Sequence, residues 1–390
     1  MANRKTNYQD KRHSCPPKNL PGLYIHIPFC RSKCLYCSFY STTSVDRIDA
    51  FLDALFGEMR LYGLSWNEFD TLYIGGGSPS VLSIEHFSRI LEQVHKTFRI
   101  CKDAEITIEI NPADMAFRDM QSLRRCGVNR LSIGVQSFDD DILTFLGRRH
   151  TASQAIHAIR DARQAGFENI GIDLIYGIPD QALYTWEDTL SKAISFDTEH
   201  LSCYQLTVGS DTPLADKHRR GEFLLPNDDA QYEFFMTTAA MLEQEGYVHY
   251  EVSNFARNLD SVSKHNSKYW NHTPYLGLGP SAHSFAANKR WWNQHSLKKY
   301  LQDVNSGKIP IASSEALSAD DLRLEALFLG MRTKEGINLR HFNARFNCDL
   351  LDEKARIIET LQNSGVIKIE GGYLRPTAAG LAVADSLSLI

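Results

Sequence analysis

Six short apolar runs rich in β-branched residues alternate with longer amphipathic segments between residues 22 and 206. The runs have the length of buried strands, and the segments repeat their apolar positions with helical spacing. The predicted strands span 23–27, 71–74, 105–110, 130–135, 170–175 and 201–206. The predicted helices span 46–64, 84–98, 115–126, 152–165 and 185–195. Such alternation indicates an α/β fold with parallel strands and right-handed crossovers. Six units predict an incomplete (β/α)6 barrel that is open on one side, and an open doubly wound sheet is the alternative.

Glycine and polar residues gather at the carboxyl ends of the predicted strands. Pro28 and a group of cysteines follow the first strand, and three glycines at 75–77 follow the second. Glu109 ends the third strand, Gln136 follows the fourth, and Asp173 lies in the fifth. Barrel and open-sheet enzymes build their active sites at this edge of the sheet. The pattern predicts a functional site there, because purely structural loops would have no reason to share one end.

The regular alternation ends near residue 215, and the rest of the chain divides into two parts. The first part predicts a helix over 225–244, a short strand within 246–255, and a loop-rich stretch with His and aromatic residues over 265–290. The second part predicts a small winged-helix-like domain, with helices at 321–331 and 352–364 and strands at 366–369 and 373–376. The predicted organisation is a flexible tail at 1–21, a partial barrel at 22–215, an elaboration at 216–317 and the C-terminal domain at 318–390.

Composition and charge narrow the class of protein. With 43% hydrophobic and 23% charged residues over 390 positions, the chain has the make-up of a globular protein. Its net charge of -5 disfavours nucleic acid as a partner, and the C-terminal part has no basic stripe, which favours a packing or interface role over DNA binding. No apolar run approaches the ~18 residues of a membrane span, and the N-terminus lacks the apolar centre of a signal peptide. We expect a cytoplasmic protein.

Three cysteines lie close together in residues 24–40, which read YIHIPFCRSKCLYCSFY. Cys30, Cys34 and Cys37 have the spacing C-x3-C-x2-C, and thiolates are ligands for iron–sulfur clusters or zinc. Structural zinc sites usually use four ligands, often as two separated C-x2-C pairs, and the sequence has no second pair. Three thiolates on a [4Fe-4S] cluster leave one iron free to chelate the amino and carboxylate groups of S-adenosylmethionine (SAM). A zinc knuckle and a chance group of buried cysteines are the alternatives.

The position of this spacing after the first strand resembles the radical SAM superfamily, which binds its [4Fe-4S] cluster through C-x3-C-x2-C. An aromatic residue before the third cysteine is typical of that superfamily, and here it is Tyr36. The segment GGGSP at 75–79 resembles its SAM-binding glycine segment, which implies that Gly76, Gly77 and Ser78 face the SAM amino group. Ser78 stands where threonine is commoner, and either hydroxyl can hydrogen-bond. The resemblance also implies that an electron from the cluster splits the SAM sulfonium into methionine and a 5′-deoxyadenosyl radical.

Four more polar residues resemble SAM contacts in the coproporphyrinogen-oxidase-like branch of the superfamily. They are Glu109, Gln136, Arg148 and Asp173. Asp173 can accept from ribose hydroxyls, Gln136 can donate and accept near the ribose, and Arg148 can form a bidentate contact with the SAM carboxylate. Glu109 would orient the neighbouring network, and Tyr24 is assigned to the same cofactor site. Each residue alone could instead be a solvated charge or a helix cap.

The chain from residue 23 onward resembles the HemW family of heme chaperones. The resemblance includes SCYQLTV at 202–208, YEVSNFA at 250–256, EALFLGMRTKEG at 325–336 and HNSKYW at 265–270, which fits the family signature HNxxYW. It implies that the protein binds heme and helps to deliver it to hemoproteins such as membrane-bound respiratory enzymes. A homodimer is left open.

Two departures separate the chain from the true oxygen-independent coproporphyrinogen III oxidase. The cysteine motif of that enzyme is C-x3-C-x2-C-x-C. In this chain the position of the fourth cysteine is occupied by Phe39. It also has a longer N-terminal extension, whereas 23 residues precede Tyr24 here. Both differences favour a chaperone over an oxidase, and no catalytic residue is assigned. A radical SAM enzyme acting on a porphyrinogen is the alternative function, and a zinc-binding regulatory protein is a distant third.

The HNxxYW segment predicts a heme contact. Heme binding uses an axial imidazole and an apolar or aromatic wall. His265 could ligate the iron while Tyr269 and Trp270 pack against the macrocycle. The alternative is that His265 satisfies polar groups in an aromatic-rich core. The other candidates for the heme ligand are His272, His283 and Cys203.

Overall fold

The computed structural model describes residues 20–387, and the predicted tail at 1–21 lies outside this range except for its last two residues. Six neighbouring parallel strands form the centre of the fold, and their spatial order is their chain order. These strands are β1 (Gly22–Ile27), β2 (Glu68–Gly76), β3 (Arg99–Ile110), β4 (Arg130–Gln136), β5 (Ile170–Tyr176) and β6 (His200–Gln205). The predicted series of six parallel units is confirmed.

Helices connect consecutive strands of this parallel sheet. They are α1 (Ile48–Tyr62), α2 (Ile84–Thr97), α3 (Phe117–Arg125), α4 (Asp140–Phe145), α5 (Ala152–Gln164) and α6 (Leu183–Ile194). Three of them begin at capping residues that the sequence supplies: side-chain oxygens of Ser83, Asp139 and Thr151 accept from the backbone of α2, α4 and α5. The sequence pattern missed α4 because it is only 6 residues long.

The two faces of each strand have different roles. Leu23, Ile25 and Ile27 of β1 are fully buried in one hydrophobic cluster with Phe51 and other residues of α1. Because side chains alternate along a strand, the intervening residues face the opposite side, where polar side chains of β2 to β6 line a cavity. The helices therefore hold the sheet from outside and leave its inner face available for a ligand.

Further elements extend the sheet at both edges. They are α7 (Pro213–Arg219), α8 (Asp228–Gln244), β7 (Val248–Glu251), β8 (Asn254–Ala256), α9 (Lys264–Trp270), β9 (Tyr275–Leu278), β10 (His283–Ala286), β11 (Lys289–Asn293), α10 (Leu297–Asn305) and β12 (Ile311–Ala316). Strand β9 pairs with β1 in parallel, and β10, β11 and β12 follow antiparallel to one another. At the other edge, β8 pairs with β6 and β7 pairs with β8. The single strand predicted within 246–255 is therefore a hairpin.

The sheet does not close on itself. Among the described residues it has the order β12-β11-β10-β9-β1-β2-β3-β4-β5-β6-β8-β7, so β12 and β7 are free edges. A closed barrel would pair its first and last strands. The cavity nevertheless collects side chains from β2 through β6, which requires the sheet to curve around it. This is the open, incomplete barrel that the sequence predicted.

The C-terminal domain has a core of its own. Its elements are α11 (Ala319–Gly330), β13 (Ile337–Asn338), α12 (Leu339–Phe346), α13 (Leu350–Glu353), α14 (Ala355–Asn363), β14 (Ile367–Glu370), β15 (Tyr373–Pro376), α15 (Ala378–Ala382) and α16 (Ala384–Leu387). The three strands form a separate sheet in the order β13-β15-β14. Arg290 of β11 donates to Glu325 of α11 at 2.8 Å, which ties this domain to the extended sheet. Every helix within residues 20–387 is too short or too polar to span a lipid bilayer.

Candidate cofactor site

The predicted cysteine ligands lie in the loop between β1 and α1. Cys30, Cys34 and Cys37 are free thiols that are half-buried at one end of the cavity. Two backbone hydrogen bonds hold the loop: the Cys30 amide donates to the Thr42 carbonyl at 2.9 Å, and the Leu35 amide donates to the Leu146 carbonyl at 3.1 Å. Burial raises the pKa of Cys30 to about 11. Such a thiol ionises near neutral pH only beside a strong positive charge, such as the iron of a cluster.

Three cysteines line this end of the cavity. Among the described residues of the lining, Cys30, Cys34 and Cys37 are the cysteines present, one fewer than the four ligands that a structural zinc site usually has. In a four-iron cluster each thiolate binds a different iron, so three sulfurs can be spread around it. The cysteine loop therefore suits a [4Fe-4S] cluster.

The glycine segment after β2 is fixed against the start of the cysteine loop. The Gly77 amide donates to the Ile27 carbonyl at 2.8 Å, and the Ser78 amide donates to the Phe29 carbonyl at 2.8 Å. A Cβ atom on Gly77 would lie only 2.7 Å from the Phe29 carbonyl oxygen. Gly76 has a φ of 110°, which favours glycine. The backbone of this segment consequently approaches the cysteine loop more closely than side chains would allow.

Glu109 on β3 supports the glycine segment from below. Its Oε2 accepts from the Gly76 amide at 3.1 Å, and its Oε1 accepts from the Tyr73 hydroxyl at 2.8 Å. A Cβ atom on Gly75 would lie 2.7 Å from Glu109 Oε1, so glycine is required there as well. Burial raises the pKa of Glu109 to about 7, while the Tyr73 and Gly76 donors oppose that shift. The carboxylate and the segment above it form one connected unit.

Arg148 and Gln136 lie on the other side of the cavity. Arg148 Nη2 donates to the Gly134 carbonyl at 2.6 Å, and Nη1 donates to Cys34 Sγ at 3.5 Å. Its Nε is buried without a hydrogen-bond partner. Gln136 ends β4 with a φ of 66° and is 9% exposed. A buried guanidinium with an unpaired donor in a cavity is suited to an anionic or polar ligand.

Asp173 is held in the inner face of β5. Its carboxylate accepts from the Ser132 hydroxyl at 2.8 Å. Burial raises the pKa of Asp173, and the hydroxyls of Ser202 and Ser132 oppose that shift. The neighbouring Thr107 hydroxyl, also on the cavity wall, is buried without a partner. The wall thus contains polar groups that protein contacts leave unsatisfied, as a wall that binds a polar ligand would.

One cavity of about 420 Å³ brings most of the predicted site residues together. Its volume lies within the usual range for small-molecule sites. Of the thirteen predicted residues, the eleven that line it are Cys30, Cys34, Tyr36, Cys37, Gly76, Gly77, Ser78, Glu109, Gln136, Arg148 and Asp173. The other two, Tyr24 and His265, do not line it.

The structure places His265, the predicted heme ligand, in the core and away from the cavity wall. Its side chain is buried, with 1% exposure, and both ring nitrogens are engaged. Nδ1 hydrogen-bonds the Thr71 hydroxyl at 2.8 Å, and Nε2 hydrogen-bonds the Tyr269 hydroxyl at 3.0 Å. Burial lowers the pKa of His265 to about 3, so the ring is neutral. Iron could bind it only after one of these bonds broke and the core opened.

Tyr24 also lies below the cavity rather than on its wall. Its hydroxyl hydrogen-bonds His26 Nδ1 at 3.0 Å. Its ring lies 6.1 Å from that of Tyr73 and 6.4 Å from that of His265, measured between centroids. Tyr24 therefore lies among residues beside the cavity, and its contact with a cofactor stays a prediction.

The remaining candidates for a heme ligand differ in access. Cys203 is buried, and burial raises the pKa of its thiol. His272 hydrogen-bonds Glu325 Oε2 through Nε2 at 3.2 Å. His283 is exposed and stacks on Trp292, its direct partner across β10 and β11, at 5.7 Å between ring centroids. Among these three side chains, His283 offers the most accessible ring.

Several residues of the cavity wall were not predicted from the sequence. They are Tyr73, Thr107, Arg130, Ser132, His200, Ser202, Tyr204, Ser263 and Asn266. Those on β3 and β4 recur at every second position with a predicted residue, as Thr107 does with Glu109 and as Arg130 and Ser132 do with Gln136. The alternation of inward and outward residues along each strand would have identified them.

Fold and cavity together define a radical SAM protein, because a cysteine loop, a glycine segment and polar strand ends enclose one cavity in an open barrel. The family model of the radical SAM superfamily matches residues 24–193, and that of the HemN C-terminal domain matches residues 317–383. The heme chaperone HemW of Bacillus subtilis is 33% identical over 89% of this chain and 93% of its own. HemW of Lactococcus lactis is 34% identical over 93% of this chain and 95% of its own. The chain belongs to the HemW family of heme chaperones.

A solved structure and a vertebrate relative extend the comparison. The structure of Escherichia coli coproporphyrinogen III oxidase (HemN), a radical SAM enzyme, matches with a TM-score of 0.83 and 25% identity over 96% of this chain and 90% of that chain. The mitochondrial radical S-adenosyl methionine domain-containing protein 1 of Danio rerio is 31% identical over 94% of this chain and 85% of its own. Membership of the superfamily implies a [4Fe-4S] cluster and SAM.

Proposed function

We propose that this protein is a heme chaperone that binds heme, holds a [4Fe-4S] cluster and SAM in its barrel, and delivers heme to hemoproteins. The supporting observation is the identity of 32–34% to curated HemW heme chaperones over most of the chain. Acceptors among membrane-bound respiratory enzymes, a cytoplasmic location and a homodimer are further parts of this hypothesis.

Cys30, Cys34 and Cys37 would hold the cluster, with Tyr36 packed beside them. When bound, the cluster supplies an electron to SAM. The glycine segment and Ser78 would receive the SAM amino group, and the unpaired Nε of Arg148 would pair with its carboxylate. The residues proposed for the ribose and its surroundings are Asp173, Gln136 and Glu109.

Heme would bind outside this cavity. His283 is our candidate for the axial ligand, because its ring is exposed and no buried hydrogen bond must break before iron reaches it. It shares a sheet face with Trp292 and Phe285, since residues paired across antiparallel strands and residues two apart point the same way. An imidazole with an aromatic neighbour is suited to the iron and one face of a macrocycle.

The similarity to HemN makes a porphyrinogen-converting enzyme the second candidate. Phe39 favours the chaperone. It occupies the position of the oxidase's fourth cysteine, it lines the cavity near the cysteine loop, and it is 67% exposed. A large apolar side chain at the cavity mouth offers no thiol for that position.

One reconstituted sample can distinguish the two functions. We would load the cluster anaerobically, titrate heme, and assay coproporphyrinogen III decarboxylation with SAM and reductant, using the E. coli oxidase as positive control. The chaperone hypothesis expects stoichiometric heme binding and no decarboxylation. Decarboxylation at rates comparable to the control would overturn it. If His283→Ala leaves heme affinity unchanged, the ligand assignment fails while the chaperone hypothesis stands.

A further inference from the structure

Helix α9, which carries the HNxxYW segment, packs tightly against the first residues of β1 and β2. A Cβ atom on Gly22 of β1 would lie 2.9 Å from both Lys268 Cδ and Thr71 Oγ1, and 3.1 Å from His265 Cε1. Glycine at position 22 therefore lets the helix approach the sheet. Asn266, the residue after His265, reaches the wall of the cavity. The segment is thus part of the base of the cofactor cavity.

The start of α9 is anchored to the inner face of β3. The backbone amides of Lys264 and His265 donate to the two carboxylate oxygens of Glu105 at 3.1 and 2.9 Å. Glu105 points to the same side of β3 as Glu109, four residues further on. The same strand therefore holds both α9 and the carboxylate below the glycine segment.

A continuous set of contacts runs from His265 to that segment. The His265 ring stacks on Tyr73 with centroids 5.1 Å apart and planes 28° apart. The Tyr73 hydroxyl donates to Glu109 Oε1 at 2.8 Å, and Glu109 Oε2 accepts from the Gly76 amide at 3.1 Å. Bonds to Thr71 and Tyr269 fix the plane of the imidazole on which Tyr73 lies.

We infer that His265 is a positioning residue of the SAM site, which acts through Tyr73 and Glu109 on the glycine segment, and that it does not ligate heme. The inference rests on the proposed assignment of the cavity to SAM. Two hydroxyl partners orient the ring, the ring orients the Tyr73 phenol, and the phenol holds one oxygen of Glu109 so that the other meets Gly76. A histidine that only fills the core would have no energetic coupling to Tyr73 in SAM binding.

A double-mutant cycle tests this coupling. SAM affinity would be measured by calorimetry on cluster-loaded wild-type protein, His265→Ala, Tyr73→Phe and the double variant. We expect each single variant to weaken SAM about tenfold, because each disturbs the contacts that hold Glu109. If His265 acts through Tyr73, the double variant should be little weaker than either single variant. Heme titrations on the same samples should be unchanged.

Two further variants keep the test decisive if His265→Ala folds poorly. Tyr269→Phe removes the hydroxyl that His265 Nε2 contacts with little change in volume, and it should weaken SAM in the same direction. His249→Ala is the matched control, since His249 is also 1% exposed and stacks on an aromatic ring, Phe255, at 4.1 Å, outside the cavity. It should leave SAM affinity unchanged.

The possible failures are distinguishable. Multiplicative effects of His265→Ala and Tyr73→Phe, or loss of heme with unchanged SAM affinity in His265→Ala, would overturn the positioning role alone. Wild-type protein that carries the cluster but binds no SAM would overturn the assignment of the cavity, and the positioning role with it.

Discussion

Arg148 and Cys34 are in direct contact: the guanidinium Nη1 donates to the cysteine Sγ at 3.5 Å. The same side chain donates through Nη2 to the Gly134 carbonyl of β4 at 2.6 Å. One planar group therefore joins a predicted cluster ligand to the strand that ends in Gln136. Its Nε remains free for a ligand.

Replacing Arg148 with Lys tests whether SAM binding needs the fixed donor directions of the guanidinium or only its positive charge. An ammonium retains the positive charge, but it cannot reproduce the fixed directions of the guanidinium donors. We expect Arg148→Lys to weaken SAM binding by about 1–2 kcal/mol and to retain the cluster. Calorimetry with SAM and an iron assay would be run on the same sample. Unchanged SAM affinity would contradict the role proposed for Arg148.

Each of Cys30, Cys34 and Cys37 should be necessary for the cluster. Replacing any one with Ala removes a thiolate that no other residue lining this end of the cavity supplies within residues 20–387. We expect loss of the broad thiolate-to-iron absorption and of bound iron after anaerobic reconstitution. Cys348→Ala, in the C-terminal domain, is the control and should retain the full iron content. Retention of a four-iron cluster by all three single variants would refute the ligand assignment.

Asp173 should contribute to SAM affinity. Asp173→Asn keeps the size of the side chain but replaces one acceptor oxygen with a donor, so a ribose hydroxyl would lose its partner. We expect a loss of about 1–3 kcal/mol in SAM binding, measured by calorimetry. Asp188→Asn, exposed on α6, serves as the control. Equal affinities of Asp173→Asn and wild-type protein would mean that the ribose lies elsewhere.

The parts of the fold and of the site that depend on residues close together in the sequence could be predicted from the sequence alone. The six strands, the cysteine spacing and the glycine segment are local patterns, and the rule that ligands meet at the carboxyl ends of parallel strands brought them to one cavity. The strands at the outer edge could not be predicted in this way. β9 has only 4 residues, and it pairs with β1 across most of the chain, so its position depends on tertiary packing.

The environment of His265 shows the same limit. Its Nε2 partner, Tyr269, lies four residues away, but its Nδ1 partner, Thr71, is 194 residues distant in the sequence. The motif identifies the histidine in the sequence, but it does not show that both ring nitrogens are hydrogen-bonded. Whether a histidine binds a metal or supports its neighbours depends on the residues around it. The fold brings those residues together from distant parts of the sequence.

Glu58 of α1 is a fully buried carboxylate outside the cofactor cavity. Its Oε2 accepts from the Tyr300 hydroxyl at 2.6 Å and the Gly279 amide at 2.8 Å, and its Oε1 accepts from Asn293 Nδ2 at 2.6 Å. These contacts tie α1 to α10 and to the β9 and β11 ends of the extended sheet. Burial raises the pKa of Glu58 to about 7, although the three donors oppose that shift.

Folding stability should therefore depend on pH through Glu58. Its pKa is about 7 in the folded state and near 4.5 when exposed, so the folded state binds the extra proton between these values. Its contribution is fully present below about pH 4.5 and is lost as the pH rises through 7. Between pH 5 and 8, wild-type protein should lose about 2–3 kcal/mol of unfolding free energy relative to Glu58→Gln, which cannot titrate.

Urea unfolding of both proteins at each pH measures this difference, with Glu92→Gln, exposed on α2, as control. A difference between wild type and Glu58→Gln that stays constant over this range would show that Glu58 does not titrate there.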